Sequence, residues 1–113
     1  MVMRVSLAGI DAPVNSKTQK TPGQLYGQLA KEYLAELVLN KVVEIKGYGL
    51  DKNSDVLAVI FLKGKNINIE MIRAGLGKLS SEDPPQDLDL GPYQKAQNEA
   101  IKAGRGIWSQ VNR

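Results

Sequence analysis

The stretch that decides the fold is Val5-Ser6-Leu7-Ala8-Gly9-Ile10-Asp11-Ala12-Pro13. It reads as a short strand running into a tight turn. Val5, Leu7 and Ile10 are apolar, Gly9 permits close backbone approach, and Pro13 pushes Ala12 out of the helical region. An aspartate directly after a buried strand stands where chemistry is often placed, so Asp11 is the first candidate site residue. Its competing role is structural: the carboxylate can brace the turn through its own backbone bonds.

Outward from that turn, the strand extends back over residues 2–8, and residues 14–22 form a polar loop carrying Lys17 and Lys20. Thr21-Pro22-Gly23-Gln24 has the spacing of a helix start, with a capping residue and proline in the first turn. Leu29, Tyr33, Leu37 and Val38 mark its apolar face, and Asn40 is its terminator. Residues 42–48 are a second strand, with Glu44 and Lys46 on one face and Val43 and Ile45 on the other. Asp51 to Asp55 is turn chemistry. Val56 to Leu62 is continuously apolar, the pattern of a strand buried on both faces. Lys63-Gly64-Lys65-Asn66 is a turn, and Asn68 is expected to cap a short helix ended by Gly75. A Pro- and Asp-rich loop over residues 80–91 is too long for a mere connection. A last helix then runs from Pro92 to Ala103, stopped by Gly104, and Trp108 is expected to fold back as a core plug.

A chain of 113 residues is read as one domain, residues 1–113, either standing alone or forming a fragment of a longer chain. It has no cysteine and no histidine, which excludes disulfides, thiolate nucleophiles, imidazole bases and the usual zinc sites. Carboxylates, guanidinium groups and a hard, oxygen-bound cation such as calcium remain for catalysis. The longest apolar run, Val56 to Leu62, is too short to span a bilayer, and no leader pattern is visible, so the compartment stays open. The net charge of +3 is uneven. Residues 82–89 hold four acidic side chains and no basic one, leaving fifteen basic against eight acidic residues elsewhere, a surplus of +7. A basic body beside an acidic loop suits a polyanionic partner.

Several segments then fall in one order: Val5 to Pro13, Tyr26-Gly27-Gln28, Val56-Leu57-Ala58-Val59, Asn68 with Ile72-Arg73-Ala74-Gly75-Leu76, and Gly104-Arg105-Gly106-Ile107-Trp108-Ser109. In that order the chain resembles the staphylococcal-nuclease-like (thermonuclease, TNase-like) domain family from Val5 to Ser109. The resemblance implies an α+β fold: a small five-stranded oligonucleotide/oligosaccharide-binding (OB) β-barrel with three helices. It also implies calcium-dependent hydrolysis of DNA and RNA phosphodiesters. In family terms two arginines stabilise the charged phosphorus, a glutamate serves the attacking water, and carboxylates hold the cation.

The departures fall on those catalytic positions. Ser6 stands at the first arginine position, Val14 at the glutamate and Asp55 at the second arginine, while Asp11 keeps the metal-ligating aspartate and Ala12 offers a carbonyl. The aromatic positions flanking the family's nucleotide pocket fall on Asn53 and Ser81. Arg4 lies one strand repeat, about 6.6 Å, from Ser6, too far for a role that demands ångström placement. Asp55 sets a negative charge where a phosphate would sit; like charges ~4 Å apart repel by ~4 kcal/mol at an effective dielectric of 20. Losing one electrostatic donor typically costs roughly 10²–10³ in rate, and one carboxylate alone is a poor calcium site.

The family's upstream D-G-D-T hairpin is absent, so the barrel is expected to lack its first two strands. The remaining three would be contiguous in the sheet, with open edges that invite a partner, including a second copy in a homodimer. Three functional readings follow. The chain is a degenerate nuclease-like module that binds nucleic acid or protein, with Lys17, Lys20, Lys52 and Lys78 as candidate contacts. Alternatively it is a calcium-dependent phosphodiesterase with parts supplied by another segment or chain. Lastly, it is a protein-interaction scaffold that uses the acidic loop. Salt-dependent binding of single strands separates the first reading from the last.

Overall fold

The computed structural model describes residues 5–11, 22–50, 54–80 and 84–109. Its sheet is built on the continuous apolar run, which forms strand β4 at Val56–Leu62 with Ala58, Val59 and Ile60 buried. Strand β1, Val5–Leu7, lies parallel to β4 with Val5 opposite Val56, Ser6 opposite Leu57 and Leu7 opposite Ala58. Strand β3, Glu44–Leu50, lies antiparallel on the other side, giving the order β1-β4-β3. A buried central strand needs apolar side chains on both faces, and β4 supplies them. The expected contiguity of three strands is thus observed, and the described strands do not close into a barrel.

Lys63 and Gly64 both take positive φ and turn β4 back into the two-residue strand β5, Lys65–Asn66. Such a two-residue turn matches the twist of the strands it joins. Strand β2, Ile10–Asp11, pairs separately with β6, Lys78–Leu79, Ile10 facing Leu79 and Asp11 facing Lys78. Neither β5 nor β6 is expected from the sequence, because two residues carry no period.

Three helices accompany the strands: α1 at Pro22–Val38, α2 at Ile67–Arg73 and α3 at Gly91–Ala103. Asn40 ends α1 in the left-handed conformation, and Gly104 does the same for α3. Of the expected apolar face of α1, Tyr33, Leu37 and Val38 are half-buried, whereas Leu29 is exposed and the neighbouring Ala30 is buried instead. No helix among the described residues is long and apolar enough to cross a membrane.

The cap of α2 corrects the sequence reading. Asn66, not Asn68, is the N-cap, its Oδ1 accepting from the Ile69 N–H at 3.0 Å. Asn68, two residues further on, is fully buried. Its Nδ2 donates to the Ala8 and Ala58 carbonyls at 3.1 and 3.0 Å, and its Oδ1 accepts from the Ile60 N–H at 3.2 Å. One side chain therefore joins α2 to the end of β1 and the middle of β4.

The core of Ile72, Tyr93 and Ala96 lies between α2 and α3, with Ile10, Ile69, Leu79, Leu88 and Leu90 packed against it. Gly9 has φ +82°, and a Cβ there would meet the Tyr93 ring at 3.1 Å, so the turn after β1 lies directly on this core. Trp108 closes a short 3₁₀ turn, Gly106–Trp108. It is half-buried rather than a full core plug, and its buried Nε1 has no hydrogen-bond partner among the described residues.

Candidate functional site

The β2–β6 ladder decides where Asp11 sits. Ile10 and Leu79 pack on the α2–α3 core, so strand alternation turns the next pair, Asp11 and Lys78, to the opposite face. Directly opposed residues on antiparallel strands hold their Cβ atoms about 4.5–5.5 Å apart, within reach of a long lysine side chain. Two residues singled out for different roles, a metal ligand and a nucleic-acid contact, therefore share one cross-strand pair. The ladder's ends are tied down: Ser80 N–H donates to the Gly9 carbonyl at 3.0 Å, and Leu79 N–H to Gln97 Oε1 at 2.8 Å.

Ser6 and Asp55 fall on one face of the sheet. The parallel register sets Ser6 beside Leu57, and Asp55 precedes Leu57 by two residues, so it continues the same face. Both are half-buried, and both make interactions within the fold. Two positions far apart in sequence thus converge on one side of the β1–β4 pair, and neither carries a cation. The remaining expectations (Arg4, Ala12, Val14, Lys17, Lys20, Lys52, Asn53 and Ser81) lie outside the described residues.

Calcium needs six to eight oxygen ligands, as a rule including several carboxylates. Among the described residues no three acidic side chains come together as a metal-holding group. Asp11 instead faces a lysine, whose ammonium would compete with a cation for the carboxylate. The described donor set does not fit a calcium ion.

A polar cluster the sequence did not reveal ties α2 to α3. Arg73 pairs with Glu70 and, through Nε, with Glu99 at 3.1 Å. Burial lowers the pKa of this guanidinium, but the hydrogen bonds and charges of Glu99 and Glu70 outweigh it and hold the pKa above its ordinary value. Arg105 adds a bond from Nη1 to the Arg73 carbonyl at 3.1 Å. Only spacing across twenty-six residues could have signalled the Arg73–Glu99 pair, and that distance has no periodicity.

The family profile described as staphylococcal nuclease homologue matches residues 4–110. The chain belongs to the staphylococcal nuclease family. Among relatives of this family, an uncharacterized endonuclease of Haemophilus influenzae is 35% identical, the match covering 97% of this chain and 56% of that protein. Proteins named probable endonuclease LCL3 are 30% identical in Komagataella phaffii and 34% in Kluyveromyces lactis. Those matches cover 94% of this chain in both cases, and 49% and 42% of the respective relatives. The chain thus spans about half the length of the curated relatives it matches. Membership in the staphylococcal nuclease family accounts for the OB-like arrangement of the sheet and its three helices.

Proposed function

We propose that this chain binds nucleic acid through its staphylococcal-nuclease-type domain and does not hydrolyse it. The observation that carries the reading is the convergence of Ser6 and Asp55 on one face of the β1–β4 pair. Stabilising a five-coordinate phosphorus requires positive groups aimed at the developing charge. A hydroxyl and a carboxylate at the two family arginine positions supply none. Val14 at the family glutamate position can neither accept a proton nor orient water. Lys78 opposite Asp11 supports the same conclusion, because it compensates the carboxylate without a metal.

Binding rests on electrostatics. The body of the chain carries a surplus of +7 outside the acidic segment, and Lys17, Lys20, Lys52 and Lys78 are the contacts we assign. The chain has four tyrosines, one tryptophan and one phenylalanine, and none of those with a described side chain is fully exposed, which argues for backbone contact rather than base stacking. The relatives are named endonucleases and are about twice as long, so the competing reading is hydrolysis with groups supplied from outside this chain. In either case the sheet is open among the described residues, and we assign self-association to it.

The test is incubation of a labelled single-stranded DNA oligomer with the chain, with calcium and with a chelator. The expected result is an intact oligomer retained at low salt and released as salt rises, as counterion release demands. Calcium-dependent cleavage that disappears in Asp11→Ala would overturn the reading. Neither cleavage nor retention would also overturn it, in favour of a protein-interaction scaffold.

A further inference from the structure

Strand β6 carries Lys78, yet it is only two residues long. A two-stranded ribbon is marginal in water even when its strands are longer, so the position of β6 must be fixed from outside the β2–β6 ladder. On the side of β2 the Ser80 N–H donates to the Gly9 carbonyl at 3.0 Å. Just before the strand, Gly77 runs so close to β2 that a Cβ there would come within 2.8 Å of Ile10 Cγ2. The inner flank of β6 is thus pinned at the turn that follows β1.

The outer flank is pinned differently. Successive N–H groups of a strand point to opposite sides, so with Ser80 turned to β2 the Leu79 N–H points away from it. No further strand accompanies β6 on that side among the described residues. The acceptor is a side chain of α3 instead: Gln97 Oε1 takes the Leu79 N–H at 2.8 Å. Gln97 follows Ala96 and lies four residues after Tyr93, both buried in the α2–α3 core. It therefore stands at the border of the helix face on which Leu79 packs. Leu79 and Gln97 are both half-buried, where an N–H without an acceptor is costly. Held at its N–H and at its side chain, Leu79 leaves the exposed Lys78 beside it at a fixed place opposite Asp11.

We propose that Gln97 is a positioning residue for nucleic-acid binding: it clamps the outer flank of β6 from α3 and so preorganises Lys78. A cation on a fixed segment meets a phosphate without first losing freedom, whereas one on a loose segment must be ordered as it binds. The inference rests on Lys78 being a nucleic-acid contact. It adds a residue that carries no charge and acts only through the backbone it holds.

Backbone amide exchange and binding of a labelled single-stranded DNA oligomer test it together. Gln97→Met keeps the length of the side chain but removes the acceptor, so exchange at Leu79 should quicken while α2 and α3 stay protected. Gln97→Glu keeps an oxygen at the same reach and should restore the protection. Gln97→Asn, whose amide falls one methylene short, carries the same prediction as the methionine should that variant not fold. Gln97→Met should bind the oligomer about fivefold more weakly at every salt concentration, the cost of ordering one side chain on binding. Its salt slope should stay that of wild type, because no charge is lost, whereas Lys78→Ala should flatten the slope by about 0.7. In the Lys78→Ala background, Gln97→Met should cost nothing further. Unchanged exchange at Leu79, or an affinity loss that persists after Lys78 is removed, overturns the positioning role and leaves nucleic-acid binding standing. Lys78→Ala binding like wild type overturns the inference together with that contact, and no retention by wild type overturns it together with the binding reading.

Discussion

Asn68 shows how one side chain can hold distant segments together. Truncation to alanine would leave the Ile60 N–H and the Ala8 carbonyl buried without this partner. Each such group costs about 1–3 kcal/mol, so Asn68→Ala should lower stability by roughly 2–4 kcal/mol, read as a lower urea midpoint. Asn66→Ala, which removes only the α2 cap bond to Ile69 and a 3.3 Å bond to the Tyr93 hydroxyl, should cost about half as much. Read from the sequence, Asn66 belongs to the preceding turn and Asn68 is the cap; the structure reverses those roles. The choice is made by β1 and β4, whose carbonyls reach one and not the other. Tyr93 gives a pH signature from the same region. Burial raises its pKa above the ordinary 10.0, outweighing the Asn66 bond that lowers it. The folded state therefore holds that proton more tightly than the unfolded one. The stabilisation is complete below the unfolded value and is lost as pH rises through the folded value. Tyr93→Phe should cost about 1 kcal/mol at neutral pH and flatten the alkaline fall in melting temperature above about pH 10.

At the scale of elements, the molecule depends on a backbone crossing. Gly75, after α2, and Gly106, opening the final 3₁₀ turn, both have positive φ, and a Cβ on either would fall on the other segment's backbone carbonyl. The Ile107 N–H donates to the Gly75 carbonyl at 2.9 Å across the same contact. Gly106→Ala should therefore destabilise by on the order of 3 kcal/mol or more. Gly64→Ala, also at positive φ but with nothing within 4 Å of the added methyl, should show only the conformational penalty of about 1–2 kcal/mol. Parallel denaturant titrations of the two variants separate the crossing from the φ cost. The elements legible in the sequence were those long enough to carry a pattern. β4 was readable as an unbroken apolar run, and α3 by its proline start and glycine stop. β5 and β6 were not readable, because each is two residues fixed by partners elsewhere. The Asp11–Lys78 opposition is illegible for the same reason, because it exists only through the β2–β6 ladder.

At the scale of the whole molecule, net charge and the placement of charge point in different directions. The chain is basic overall, yet Asp55 stands at the face where β1 and β4 converge with Ser6. If phosphates approach that face, removing the carboxylate and adding two guanidinium groups should strengthen binding without creating a nuclease. Ser6→Arg/Asp55→Arg should therefore bind a single-stranded oligomer more tightly. Each new phosphate contact steepens the fall of log K with log salt by about 0.7 for single strands, so two should add about 1.4 to the slope. Hydrolysis should remain absent, because Val14 still offers no base and the Asp11–Lys78 pair is untouched. Asp55 has a partner within the fold, so the variant's melting curve must first show that it folds. A salt slope equal to that of wild type would mean that the polyanion meets the lysine-bearing segments rather than the β1–β4 face. A slope steeper by the stated amount would place the strand across Ser6 and Asp55, as the proposed function expects.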